Sequence, residues 1–151
     1  MKGNRSKDIE KIKETLQYYT DAFKENNYKK IINSFHPEAR VVWVNYEDNT
    51  IFIKPCASWK NEFESIKGKN RDIKFKTVVE KIDCTGTAAI ARLKWIIETP
   101  EETRFTTDYL TLLKFDTNWL IVNKSGHYDF KPKEGHENRR SLDKDNSCHK
   151  T

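Results

Sequence analysis

From Lys7 to Lys24, apolar residues recur three or four positions apart, at Ile9, Ile12, Leu16, Tyr19 and Phe23, with charged residues filling the intervals. This spacing predicts an amphipathic helix with one buried face. A second, shorter stripe, Tyr28, Ile31, Ile32 and Phe35, runs up to Pro37, which disfavours helical geometry in the residue before it. Asn26 and Asn27 separate the two stripes. The segment ARVVWVNY, rich in β-branched and aromatic residues, is followed by EDNT and the apolar run IFIK, and predicts a hairpin ended by Pro55. Ser58 is placed to cap a third helix with Trp59, Phe63 and Ile66 on its apolar face and Gly68 at its end.

Four strands are predicted next, at Asp72 to Asp83, Thr87 to Glu98, Arg104 to Phe115 and Trp119 to His127. Turns fall at Cys84 to Gly86, at Thr99 to Glu102 and at Asp116 to Asn118. The order helix, helix, hairpin, helix, meander predicts an α+β fold with the helices on one face of a mostly antiparallel sheet. The late strands are apolar on both faces: Leu93, Trp95 and Ile97 alternate with Ile90 and Ile96 across one strand. Helices cover only one face, so a homodimer through the other is expected. The domain is expected to span 8–130. A flexible N-terminus at 1–7 and a charged, disordered tail at 131–151, with Leu142 as its single large aliphatic residue, flank it.

Composition narrows the function classes. A chain of 151 residues makes one domain of ordinary size. No stretch approaches the roughly 18 apolar residues of a membrane span, and no apolar segment follows the charged N-terminus as in a secretory signal, so no membrane partner and a cytoplasmic location are expected. The formal charge of +5 comes from lysines interspersed with acids, a solvated surface rather than a basic patch, and no nucleic-acid partner is expected. Cys56, Cys84 and Cys148 are widely spaced and odd in number, which disfavours a disulfide framework or a zinc site. HExxH, the glycine-rich phosphate loop and GxSxG are all missing from the sequence, and no metal or cofactor is implied.

Two segments carry a family signature. "YYTDAFKENNYKKIINSFHPEARVVW" resembles the opening of the nuclear transport factor 2-like superfamily, and "TTDYLTLLKFDTNWLIVNKSGHY" resembles the closing hairpin of its SnoaL-like and putative lumazine-binding branch. The resemblance implies a cystatin-like cone: three N-terminal helices on a strongly curved sheet, with the hairpin between helices 2 and 3. The superfamily hosts isomerases, dehydratases, cyclases and binding modules on one scaffold. Tyr19 lies where the superfamily's ketosteroid isomerases, which the chain resembles there, place an oxyanion-stabilising tyrosine. Ungapped comparison puts Trp43 at their base position and Thr111 near their second acid.

The same register directs Trp43 and Asn45 of the first strand, and Tyr109 and Thr111 of the third meander strand, into the cavity. Trp59, Phe63 and Trp95 complete an aromatic ligand wall suited to a small apolar or aromatic molecule. Asp108 is expected on the opposite face as a cross-strand partner of Arg92 or Lys94. His127, ending the last strand, is the candidate acid or base, because imidazole titrates near neutral pH. Three readings stay open: a small-molecule binder, an isomerase, dehydratase or cyclase using His127 with Tyr19 or Tyr109, and an assembly module.

Overall fold

The computed structural model describes residues 2–66 and 72–135. Helix α1 (Lys2–Glu25) and helix α2 (Tyr28–Ser34) lead into strand β1 (Phe35–Asn45) and strand β2 (Thr50–Pro55). A 3-10 turn (Cys56–Ser58) opens helix α3 (Trp59–Ile66), and strands β3 (Lys74–Thr85), β4 (Ala88–Glu98), β5 (Glu102–Phe115) and β6 (Asn118–Pro132) complete the chain. The six strands form one mixed sheet in the order β2-β1-β6-β5-β4-β3. Every pair is antiparallel except β1 with β6, which lets the early hairpin join the late meander edge to edge. This is the expected α+β cone.

The breaks follow local chemistry. Asn26 takes a positive φ of 51°, and Asn27 caps α2 by accepting from the Lys29 N–H at 3.1 Å. Gly86, at φ 56°, and Asp116, also at φ 56°, turn the β3–β4 and β5–β6 hairpins. Ser58 donates its hydroxyl to the Pro55 carbonyl at 2.8 Å and so braces the 3-10 turn.

Several boundaries differ from the sequence reading. Helix α1 starts at Lys2, ahead of the stripe's first charge at Lys7. Phe35 belongs to β1 rather than to the second helix: its backbone is extended, and Ser34 closes α2 by donating its hydroxyl to the Lys30 carbonyl. Strand β6 runs on to Pro132, pairing Lys131 with Thr103 and Pro132 with Glu102. Gly68, Leu142, Cys148 and residues 136–151 of the expected tail lie outside the described residues.

The core lies between α1 and the sheet, where Ile12, Leu16, Ile31, Leu93, Leu110, Leu112 and Ile121 are all buried. Helix α1 is pinned to the β5–β6 hairpin by polar contacts. Thr15 donates to the Trp119 carbonyl at 2.6 Å, the Trp119 indole donates to Asp8 Oδ1 at 3.1 Å, and Lys114 pairs with Asp8 at 2.9 Å. The outer face keeps Val44, Ile51, Ile53, Val78 and Ile90 exposed. Among the described residues, no helix is long and apolar enough to cross a membrane.

Candidate functional site

The inner face of the sheet is set by two phase decisions. On β5 the buried residues are Glu102, Thr106, Asp108, Leu110 and Leu112, and the alternate set faces out. Leucines 110 and 112 sit opposite Ala91 and Ala89 of β4, small partners that leave them room, and this packing fixes the phase. On β6, Val122 is an extra residue between the pairs Thr111↔Asn123 and Leu112↔Ile121. This bulge puts Trp119 and Ile121 inward on one side of it and Lys124, Tyr128 and Phe130 inward on the other.

These phases reverse the ungapped register. Asp108 is fully buried and lies opposite Leu93, not beside Arg92 or Lys94 as a surface partner. Tyr109 is 52% exposed on the outer face, where the Arg92 guanidinium lies 5.6 Å from its ring. Thr111 also faces outward, between Ile90 and Asn123. Asn45 ends β1, where its side chain accepts from the Glu47 N–H at 3.0 Å and shapes the hairpin turn. His127 is outward and exposed, with Tyr46 at 3.0 Å from Nδ1 and Asp129 at 3.3 Å from Nε2. The other five predicted residues, Tyr19, Trp43, Trp59, Phe63 and Trp95, are buried in the interior.

There they meet two residues that the sequence reading placed elsewhere or passed over, Asp108 and Lys124. Asp108 Oδ2 accepts from the Tyr19 hydroxyl at 2.6 Å and from the Trp95 indole at 2.8 Å. Its other oxygen, Oδ1, is buried without a partner among the described residues, as are the Thr106 hydroxyl and the Trp43 indole nitrogen. Burial, and then the neighbouring Asp108, hold the Tyr19 hydroxyl well above its usual pKa of 10.0, so it remains a proton donor through the neutral range.

Lys124 is 4% exposed. Its ammonium lies 5.2 Å from the centre of the Trp59 ring, 5.6 Å from Tyr19, 5.7 Å from Trp43 and 5.8 Å from Phe23. Those rings interlock edge to face: Phe23 meets Tyr19 at 5.5 Å, Trp59 at 5.4 Å and Phe63 at 5.0 Å. Burial pushes the lysine's pKa below 10.5, against the attraction of Asp108 and with the help of the Lys54 charge. Lys54, 5.7 Å from the Trp59 ring, pairs with Glu62 at 2.6 Å, and its own pKa is also lowered by burial.

Gly126 ties the two residues together. It pairs with Asp108 and stands two positions beyond Lys124 on the inner face. A Cβ there would collide with the Thr107 carbonyl and press on the Trp43 ring at 3.1 Å. Glycine therefore lets Trp43 close down over the strand pair that carries the carboxyl group. Chemically the interior offers a carboxyl group with one free oxygen, a hydroxyl donor behind it, an amine held away from water, and aromatic walls. Among the described residues, no group of His, Cys, Asp and Glu is arranged to hold a metal ion.

Comparison with known proteins agrees with this architecture. The family model described as putative lumazine-binding matches residues 7–127. Aldolase FrzH from a Cladobotryum species is 27% identical over 122 residues, 81% of this chain and 92% of that protein. A nuclear transport factor 2-like protein of unknown function from Shewanella baltica is 25% identical, with a TM-score of 0.63 over 83% of this chain and 94% of its own. The structure of a putative scytalone dehydratase from Novosphingobium aromaticivorans reaches a TM-score of 0.71 at 15% identity, over 89% of this chain and 93% of its own, a likeness of fold. Matched over most of its length by the family model and in its fold by these structures, the chain belongs to the putative lumazine-binding family of the nuclear transport factor 2-like superfamily.

Proposed function

We propose that the chain takes a small, largely apolar or aromatic carbonyl compound against the inner face of the sheet, and that Asp108 moves a proton at the carbon next to the carbonyl. One observation carries this reading: a fully buried carboxyl group is held through Oδ2 by Tyr19 and Trp95 while Oδ1 has no partner among the described residues. Buried polar atoms are almost always paired, and three unpaired ones on one inner surface, Asp108 Oδ1, Thr106 Oγ1 and Trp43 Nε1, suit a ligand that carries polar atoms on an apolar frame. The relative named as an aldolase works on carbonyl chemistry by its name, which supports the substrate class. Acid–base duty passes from His127 to Asp108, because His127 points out of the opposite face.

Asp108→Asn tests the reading. Wild-type protein is expected to exchange the α-hydrogens of 2-tetralone, a fused-ring ketone, for deuterium in heavy water, followed by NMR. Asp108→Asn should slow the exchange by about 10²-fold or more, the usual share of a positioned acid or base, at an unchanged circular dichroism spectrum. Equal exchange in the two proteins would remove Asp108 from the chemistry.

A second reading, binding without turnover, is favoured by the aromatic lining and by the unpaired Trp43 N–H donor, which suit a fused heteroaromatic ring such as lumazine. Saturable quenching of tryptophan fluorescence by lumazine, without exchange of any ketone, would select it. The exposed apolar residues of the outer sheet face support a homodimer in either case.

A further inference from the structure

We propose that Lys124 is an imine-forming residue, whose ε-amine adds to the carbonyl carbon of an aldehyde or ketone bound in the aromatic interior. The inference deepens the proposed function and rests on its placement of a carbonyl ligand beside Asp108.

The geometry separates Lys124 from an ordinary lysine. It is the inward residue of β6 directly after the bulge, and its amine is surrounded by four rings, with no hydrogen bond or ion pair to any described residue. A structural buried lysine is expected to be paired, as Lys54 is with Glu62. Two effects oppose each other at the amine. Ring faces attract the ammonium by about 0.5–2 kcal/mol, whereas burying an ion costs several kcal/mol, so the balance moves toward the neutral amine. Burial lowers its pKa from 10.5, with help from the Lys54 charge and against the attraction of Asp108 and Glu62. Desolvation in an apolar site beside another cation is how a lysine becomes a nucleophile near neutral pH.

The partners needed for the reaction surround it. The amine lone pair forms the C–N bond as the carbonyl π pair moves to oxygen, and transfer of a proton from nitrogen to that oxygen gives a carbinolamine. Loss of the hydroxyl with one further proton releases water and leaves an iminium ion. The Asp108 carboxyl group supplies that proton through Oδ1 and takes it back when the α C–H breaks to give an enamine, while Tyr19 and Trp95 hold Oδ2, so the two steps balance. The iminium makes the α-hydrogen more acidic than a free ketone's, and this is why an amine belongs beside a base. Hydrolysis by water reverses the sequence.

The experiment is reductive trapping. Full-length protein is incubated with 2-tetralone and sodium cyanoborohydride near neutral pH, and the intact mass and peptide map are read. The expected result is one adduct per chain, a gain equal to the ketone less one oxygen atom, located on Lys124 and missing in Lys124→Arg and Lys124→Met. Two variants are used so that a failure to fold in one, read by circular dichroism, leaves the other informative. Adducts confined to other lysines, or equal labelling in the variants, would overturn the proposal. Asp108-dependent exchange that continues unchanged in Lys124→Met would overturn the imine while leaving the proposed function standing. A Lys124 adduct with exchange that ignores Asp108→Asn would do the reverse. Neither adduct nor exchange would sink both.

Discussion

Tyr19, Asp108 and Trp95 form a hydrogen-bonded unit in which each member supports the others' burial. Tyr19→Phe takes one donor from Asp108 Oδ2 and leaves only the Trp95 indole, and an unfolding free energy lower by about 1–3 kcal/mol is expected in urea titration. Lys124 acts in the opposite sense, because an unpaired buried amine costs stability. Lys124→Met, close in volume and apolar, is expected to be neutral or stabilising by up to about 4 kcal/mol. The two residues also shape the alkaline limb of stability. Lys124 has a folded-state pKa below 10.5, so between that value and 10.5 the unfolded chain binds more protons and stability rises with pH, a rise that Lys124→Met should reduce. Lys54, also lowered by burial, keeps a rise of the same sign. Tyr19 has a raised folded-state pKa, so its contribution is complete below pH 10.0 and is lost as pH climbs beyond it, a loss that Tyr19→Phe should remove. Thermal unfolding from pH 7 to pH 11 in the three proteins checks both signs.

At the scale of the strand, Gly126 is where a small change should have a large effect. Gly126→Ala puts a methyl group into the Thr107 carbonyl and the Trp43 ring, and β6 must pull away from β5 to admit it. A loss of about 1–3 kcal/mol is expected in denaturant unfolding, together with lower exchange of the ketone, because the shift moves Asp108. Strand phase also explains what could be read from the sequence. The helices and strands were legible because their apolar spacing is strong, and the burial of five aromatics of the candidate site was legible because large rings seldom stay outside. Asp108 and Lys124 were not. Alternation along RFTTDYLTLLKF gives two sets of residues, and Phe105, Tyr109 and Phe115 look as apolar as Leu110 and Leu112; the alanines opposite the leucines decide between them. On β6 one clue was present. Trp119 and Ile121 have odd numbers while Tyr128 and Phe130 have even ones, and a strand buried at both ends on one face needs an extra residue between them.

For the molecule as a whole, the inner face and the outer face of the sheet serve different ends. The outer surface carries Val44, Ile51, Ile53 and Ile90, and a homodimer through it is expected in sedimentation velocity. Ile90→Lys, which adds a charge in that face far from α1, should shift the protein to monomer at unchanged fold; a wild-type monomer would remove the dimer. The interior depends on the β6 bulge. Without Val122 the strand would be regular, with Ile121 inward, Asn123 outward and Lys124 inward, the same arrangement that the bulge preserves. The bulge is therefore a buffer against changes in length. The half of the strand that docks α1 through Trp119 and the half that carries Lys124 and Gly126 are decoupled, so a lineage can gain or lose one residue between them and keep both halves aimed. Replacing interior groups downstream of the bulge leaves the helix anchor untouched, a route by which one scaffold could acquire many chemistries without refolding.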